Sequence, residues 1–360
     1  MTTEIVSDSA RLGEIAAGLA DAPAIALDTE FLRERTYRPQ LCLLQLAGNG
    51  MACCVDPLPA LDLEALKPLL AGSTPKILHA ARQDLEVLWP LSGPVHGIYD
   101  TQIAAGLAGM PAQIGYSELV RRLLGVTLDK GQTRTDWSRR PLSAAQIEYA
   151  IDDVVHLAAL RDALDEELAR LGRRDWLEEE LQELSDPARL FVDPDKAVER
   201  LRWSAELDPD RERLAQKLAA WRERRAMDRD RPRSWILEDS ALRSIVLKAP
   251  RNAAELAALP DLTPGFIERS GDAVLEVVES AALPASLPPP AQRARPDPAL
   301  LARVKRLSTV IQTQAQQLAI ASELLATRRD LESIARGAPV GEVLHGWRAT
   351  LLGAALNAAL

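Results

Sequence analysis

Cysteine is nearly absent. Cys42, Cys53 and Cys54 are the three in 360 residues; none forms a C-x-x-C pair, and all lie in apolar, strand-like runs. They read as reduced core residues, so no disulfide framework is expected. Histidine is rare too, at four, and His96, His156 and His345 show no ligand spacing. No run of about 18 apolar residues occurs, so no transmembrane helix and no membrane partner are expected. The opening MTTEIVSDSARLGE lacks the basic start and apolar core of a secretory leader, which points to the cytoplasm. No G-x-x-x-x-G-K-[ST] phosphate loop appears, so neither a helicase nor a bound nucleotide cofactor is expected.

The chain is too long for one compact core, and its 47% apolar content is ordinary for a globular protein, so two or three domains are expected. The net charge of −9 is unevenly spread: −12 over residues 1–200, −1 over 201–290 and +4 over 291–360. The acidic part repels nucleic acid unless metal ions intervene, whereas the C-terminal part attracts it.

Residues 24–31, 41–47 and 51–56 are short apolar runs, separated by Arg38-Pro39 and by Gly48-Asn49-Gly50. Such tight spacing predicts an antiparallel meander. A helix near Leu63–Leu70, a strand over 76–80, a helix over 82–91 and a strand over 95–100 follow, which predicts a mixed α/β sheet flanked by helices. Ser143-x-x-Gln146 is a capping-box pattern opening one long helix to about residue 172. After residue 200 the strand signals fade. Helices are expected over 207–230, 240–248, 252–259 and 264–283. The proline-rich stretch 284–298 reads as a linker before a second helical stretch, 299–360. An offset of 89 residues relates Leu218 to Leu307 and Leu242-Arg-Ser-Ile245 to Leu331-Glu-Ser-Ile334. Two copies of one small helical module would explain it.

Within the strand IALDTEF, Asp28 and Glu30 point to one face, while Leu27, Thr29 and Phe31 point to the other. A buried pair of carboxylates costs several kcal/mol unless a cation neutralises it. The pair is therefore either a divalent-metal platform or the solvated face of an edge strand. Asp84 falls in the first turn of a helix, where it meets either a metal or the helix dipole. Tyr149 and Asp153 stand one turn apart on a later helix face. Asp152 reads as solvated, and Asp100, before Thr101, as a helix N-cap.

This D-x-E strand, helix-start Asp and Y-x-x-x-D helix resemble the DEDD exonuclease superfamily in its tyrosine-containing branch. The phrases IALDTEF, YRPQLCLLQLA, ILHAARQDLEVL, DTQIAA, TLDKGQTRTDWSRRPLS and QIEYAIDDV are similar, in order, to the ribonuclease D family. The tail resembles two helicase-and-ribonuclease-D C-terminal (HRDC) modules. The resemblance implies a ribonuclease H-like exonuclease domain over 1–200, with helical modules over 207–283 and 299–360. It also implies hydrolytic removal of nucleotides from RNA 3′ ends as nucleoside 5′-monophosphates, with tRNA precursors foremost among structured RNAs. Asp28, Glu30, Asp84 and Asp153 would hold two divalent ions, Mg²⁺ or Mn²⁺. Tyr149 would orient the water, since a free phenol with a pKa of about 10 is a poor base at neutral pH. A DNA exonuclease of the same fold and an inactive RNA-binding scaffold are the alternatives.

Secondary candidates carry two readings each. His79 faces the site or packs at a strand end. Trp137 stacks on a terminal base or packs within its loop. Lys130, Arg134, Arg139 and Arg140 touch phosphates or are solvated. Residues 211–233 carry an excess of +5, with Trp221 and Trp235 nearby. There Arg222, Arg224 and Arg225 line an RNA groove or pair with acids along a solvated helix.

Overall fold

The computed structural model describes residues 3–59, 61–129, 131, 135–201, 203, 204, 207–284, 287 and 297–360. Lys130, Arg134 and most of the expected linker lie outside the described residues. Among the described residues six strands, β1 (Thr3–Val6), β2 (Ile25–Leu32), β3 (Gln40–Gly48), β4 (Met51–Val55), β5 (Lys76–Leu78) and β6 (Ile98–Asp100), form one sheet in the order β1-β4-β3-β2-β5-β6. The pairs β1–β4, β2–β5 and β5–β6 are parallel, and β3–β4 is antiparallel. The sheet is thus mixed, as expected. The β3–β4 hairpin turns on Asn49 and Gly50, with φ of 47° and 76°, the backbone that a two-residue turn between twisted strands requires. The sequence reading missed β1, four residues at the sheet edge.

Helices α1 (Ser9–Ala20), α2 (Lys67–Ala71), α3 (Arg82–Ser92), α4 (Thr101–Leu107), α5 (Tyr116–Leu124), α6 (Ala144–Val155), α7 (Leu157–Leu171), α8 (Arg174–Leu184) and α9 (Pro187–Leu190) follow in chain order. The expected long helix is two: His156 ends α6 and begins α7. The capping box at its start is present, with the Gln146 amide N–H bonded to Ser143 Oγ and Ser143 N–H bonded to the Gln146 side chain. All three cysteines are buried and free. No helix among the described residues is long and apolar enough to cross a membrane.

The tail continues as α10 (Pro209–Arg229), α11 (Arg233–Ile236), α12 (Asp239–Lys248), α13 (Ala253–Ala257) and α14 (Pro264–Ser280). It then runs as α15 (Pro298–Leu318), α16 (Ser322–Leu325), α17 (Arg328–Ala335), α18 (Val340–Val343) and α19 (Gly346–Ala359). The 89-residue recurrence extends to whole elements. Helices α10 and α15 are both 21 residues long, both capped by an aspartate (Asp208, Asp297), and both end in a left-handed residue (Asp230, Ala319). Leu218 and Leu307 are both fully buried, as are Ile245 and Ile334.

The chain divides into two compact units. One comprises Met1–Leu32, Leu41–Leu190 and Pro296–Leu360. There α15–α19 share a core with the sheet domain: Val304, Leu307, Leu325, Trp347 and Leu352 join Leu160, Leu164, Leu168 and Leu177. The Trp347 ring stacks on Trp176 at 4.3 Å. Arg348 pairs with Glu180, and Arg173 donates to the carbonyls of Leu107 and Leu318. The other unit comprises Arg33–Gln40 and Phe191–Arg295. Its core is built on Leu214, Leu218, Leu242, Ile245 and Val274, and the Tyr37 hydroxyl donates to buried Glu223 at 2.5 Å.

Candidate active site

Strand β2 sits inside the sheet, with β3 on one side and β5 on the other. Its apolar residues Ile25 and Leu27 are fully buried, so the strand cannot slip register without exposing them. That fixes Asp28 and Glu30 on one face, and α6 packs against β2 and β4 to bring Asp153 to the same place. One carboxylate oxygen each from Asp28, Glu30 and Asp153 lies within 4.8 Å of the others. Hard divalent ions bind oxygen at about 2.0–2.6 Å, so this spread matches ligands gathered on a single ion. The Tyr149 hydroxyl is hydrogen-bonded to the Asp153 carboxylate.

Asp84, buried in the first turn of α3, stands beside this group rather than within it. Its Oδ1 accepts from Thr29 Oγ1 at 2.5 Å. Thr29 points away from Asp28 and Glu30, as alternation requires, and that orientation is what lets it meet α3. The turn delivering Asp84 is held by Asp100, whose carboxylate accepts from Ala80 N–H at 3.1 Å and Ala81 N–H at 2.8 Å. Ala80 has φ of 57°, a conformation that costs a non-glycine residue about 1 kcal/mol and persists because its surroundings hold it. Asp100 also accepts from Gln102 N–H and Ile103 N–H as the N-cap of α4, the role expected for it.

The acids raise one another's proton affinity. Asp28 lies well above the usual carboxylate range, through burial and then the charges of Asp84, Asp153 and Glu30. Glu30 is pushed up to about 8 by burial and by Asp153 and Asp84. Burial lifts Asp84 and Asp153 to about 7, opposed by the hydrogen bonds from Thr29 and Tyr149 respectively. The main neighbouring charges that raise these four groups are carboxylates. Such a site is short of cations, and the hard oxygen donor set fits divalent metal.

Residues 3–169 match the model of a 3′-5′ exonuclease family, and residues 211–278 match that of the HRDC domain. A ribonuclease D from Nitrobacter hamburgensis is 39% identical over 98% of this chain and 94% of its own. One from Gluconacetobacter diazotrophicus is 40% identical over 92% and 86%. The chain belongs to the ribonuclease D family. Its fold is that of the crystal structure of Escherichia coli RNase D, an exoribonuclease involved in structured RNA processing, with a TM-score of 0.87 and 32% identity over 100% of this chain and 99% of that one. The catalytic core of RRP6 from Trypanosoma brucei is a more distant likeness, with a TM-score of 0.59 and 25% identity over 78% and 80%. Membership in the ribonuclease D family makes this chain a 3′→5′ exoribonuclease, a hydrolase.

Several secondary candidates of this ribonuclease D chain take the packed or ion-paired one of their two readings. His79 is held between Thr101 Oγ1 at 2.9 Å and the Ile114 carbonyl at 3.0 Å, edge-on to Tyr116, as a packing residue. Trp137 is 3% exposed, so its faces are covered by protein and not offered to a base. Arg222 is buried and bonded to Asp239 and to the Leu237 carbonyl; it has no place in a surface groove. Arg224 pairs with Asp195, and Arg139 is exposed and paired with Asp136. Arg225 lies over the Trp221 ring, 5.4 Å from its centre. Thr29, Asp56 and the second role of Asp100 went unread in the sequence. For Thr29 a signal existed, a hydroxyl between the two acids; for Asp56 there was none.

Proposed function

We propose that the chain trims tRNA precursors and other structured RNAs bearing a 3′ tail, one nucleoside 5′-monophosphate at a time. In this reading Asp28, Glu30, Asp84 and Asp153 hold two divalent ions, Mg²⁺ or Mn²⁺, and Tyr149 orients the attacking water. The observation that carries it is the cluster of Asp28, Glu30 and Asp153, whose carboxylate oxygens lie within 4.8 Å of one another. Divalent ions held by these carboxylates would supply Lewis acidity and would lower the pKa of a bound water. The chain's own residues do the positioning: Thr29 turns Asp84, Asp153 holds the Tyr149 hydroxyl, and the β2 backbone spaces Asp28 from Glu30. The cytoplasm is the compartment of this reading, which the free cysteines suit.

The same reading divides the chain into an exonuclease domain over 1–200, HRDC-like modules over 207–283 and 299–360, and a linker over 284–298. The element-by-element recurrence at 89 residues supports it. The RNA-gripping surface of the first module is a cleft of about 760 Å³ lined by Arg213, Lys217, Trp221, Arg224 and Arg225. The decisive experiment incubates the protein with 3′-extended tRNA and with matched single-stranded DNA, adding Mg²⁺, Mn²⁺ or a chelator. Stepwise shortening of the RNA with mononucleotide release, abolished by chelator, is the expected result. Oligonucleotide fragments, or preference for the DNA, would overturn it.

A further inference from the structure

Arg140 has a position unlike either expectation for it. It contacts neither solvent alone nor an open phosphate site. Its Nε donates to Asp56 Oδ2 at 2.5 Å, and one Nη2 proton goes to Asp56 Oδ1 at 2.7 Å. The other Nη2 proton goes to the Cys42 carbonyl at 2.7 Å, and Nη1 donates to the Trp137 and Arg139 carbonyls, both at 2.8 Å. A guanidinium has five N–H donors, and all five are spent inside the protein. None remains for RNA. Asp56 is buried while the Arg140 side chain is 25% exposed, so water screens this ion pair only in part.

The five bonds join two places. Cys42 and Asp56 belong to β3 and to the residue following β4, which are fixed in the sheet. Trp137 and Arg139 belong to the loop entering α6. That loop is also tied to the helix start by Gln146, whose amide donates to Thr135 Oγ1 at 3.3 Å. Trp137 lies against Tyr149, ring centres 6.0 Å apart and tilted by 36°. Its indole N–H has no hydrogen-bond partner among the described residues, so it acts on the tyrosine by shape alone.

We propose that Arg140 and Asp56 are positioning residues that clamp the Trp137 loop and thereby fix the Tyr149 hydroxyl for the reaction. The inference rests on reading Tyr149 as the group that orients the water. A tyrosine ring swings about two side-chain torsions, and Trp137 walls one side of that swing. A misplacement of about 1 Å costs on the order of a hundredfold in rate, so a loosened wall shows in turnover before it shows in binding.

The test compares Arg140→Lys, Asp56→Asn and Trp137→Leu on a short single-stranded RNA, each assayed well below its own melting temperature. Lysine keeps the charge but carries three donors in place of five; Trp137→Leu removes the wall without touching the ion pair. Each is expected to lower kcat about tenfold with KM and its salt dependence unchanged. Arg140→Lys combined with Asp56→Asn should cost no more than either alone, as expected of one unit. In a Tyr149→Phe background, Asp56→Asn should have little further effect. A raised KM with a flatter salt slope would make Arg140 a phosphate contact and overturn the clamp. So would a full further tenfold loss from Asp56→Asn in the Tyr149→Phe background. Wild-type turnover by Tyr149→Phe alone would overturn the reading of Tyr149, and the clamp with it.

Discussion

Asp28 and Asp153 each contribute a carboxylate oxygen to one small volume, and replacing either with asparagine removes a charge the proposed ions need. Turnover should fall at least about a thousandfold, the scale of losing a major electrostatic contribution. Without metal the melting temperature should hold or rise, because like-charge repulsion is relieved. Near-wild-type turnover in saturating Mg²⁺ would remove both residues from the metal site. Tyr149→Phe keeps the ring and loses only the hydroxyl; kcat should drop tens- to hundredfold with RNA affinity unchanged. Lys76 gives a separate test, of pH. It is fully buried, donates to the Gly72 carbonyl, and burial lowers its pKa to about 8. Below pH 8 both folded and unfolded chains carry the proton, and the folded state bears the cost of the buried charge. Between about 8 and the ordinary lysine value of 10.5 the unfolded chain binds more protons, so this group's contribution to stability rises with pH across that window. Lys76→Met should therefore stabilise the protein at pH 7, by up to ~3 kcal/mol, and the gain should shrink steadily in melts from pH 8 to pH 10.

At the scale of elements, α6 matters most, because it carries Tyr149 and Asp153 and begins at the Ser143 cap. Ser143→Ala removes one half of the capping box. It should cost about 1 kcal/mol and lower the melting temperature by roughly 2–4 °C. Turnover should change less than a few fold, since Tyr149 and Asp153 lie in the second and third turns, packed by the sheet. A much larger loss of kcat at unchanged stability would mean that the cap, not packing, orients the helix. At the break at His156 the helical periodicity continues in sequence; there the Tyr116 hydroxyl donates to the Asp152 carbonyl in the last turn of α6, and α7 packs against α4 and α5.

For the whole molecule, α15–α19 are docked on the sheet domain, so a chain ending near Leu201 would bare the apolar surface that Val304, Leu325 and Trp347 cover, and it should melt well below the full chain. Gly346 tests the docking at one atom. It has φ of 54°, and a Cβ there would overlap the Glu179 carboxylate, which accepts from Trp347 N–H at 2.8 Å. Gly346→Ala should destabilise by more than ~1 kcal/mol, read as a lower melting temperature. The RNA grip needs substitutions instead of truncation. Lys217 and Arg225 line the cleft without a salt-bridge partner among the described residues, whereas Arg213 and Arg224 are paired with Asp210 and Asp195. Replacing Lys217 and Arg225 with alanine should weaken tRNA binding and lower its salt slope by about 0.7 per lost contact. Unchanged affinity and slope would assign the cleft to packing or protein contacts.

The sequence by itself determined the strand that carries Asp28 and Glu30, the capping box before Tyr149 and Asp153, and the repeat at 89 residues. Each is local or periodic: alternation puts both acids on one face, a hydroxyl three residues from a glutamine closes a helix end, and recurring leucines mark a recurring core. Tertiary structure decided what depends on partners distant in the chain. The charge excess over residues 211–233 read as a groove or as ion pairs, and burial of Arg222 against Asp239 settled that residue. Trp137 was a base platform or a packed ring until the core closed over it. Arg140 was a surface cation until Asp56, 84 residues away, took it. Whether a charged or aromatic side chain meets solvent or protein depends on which surfaces fold together, and sequence spacing alone does not specify that.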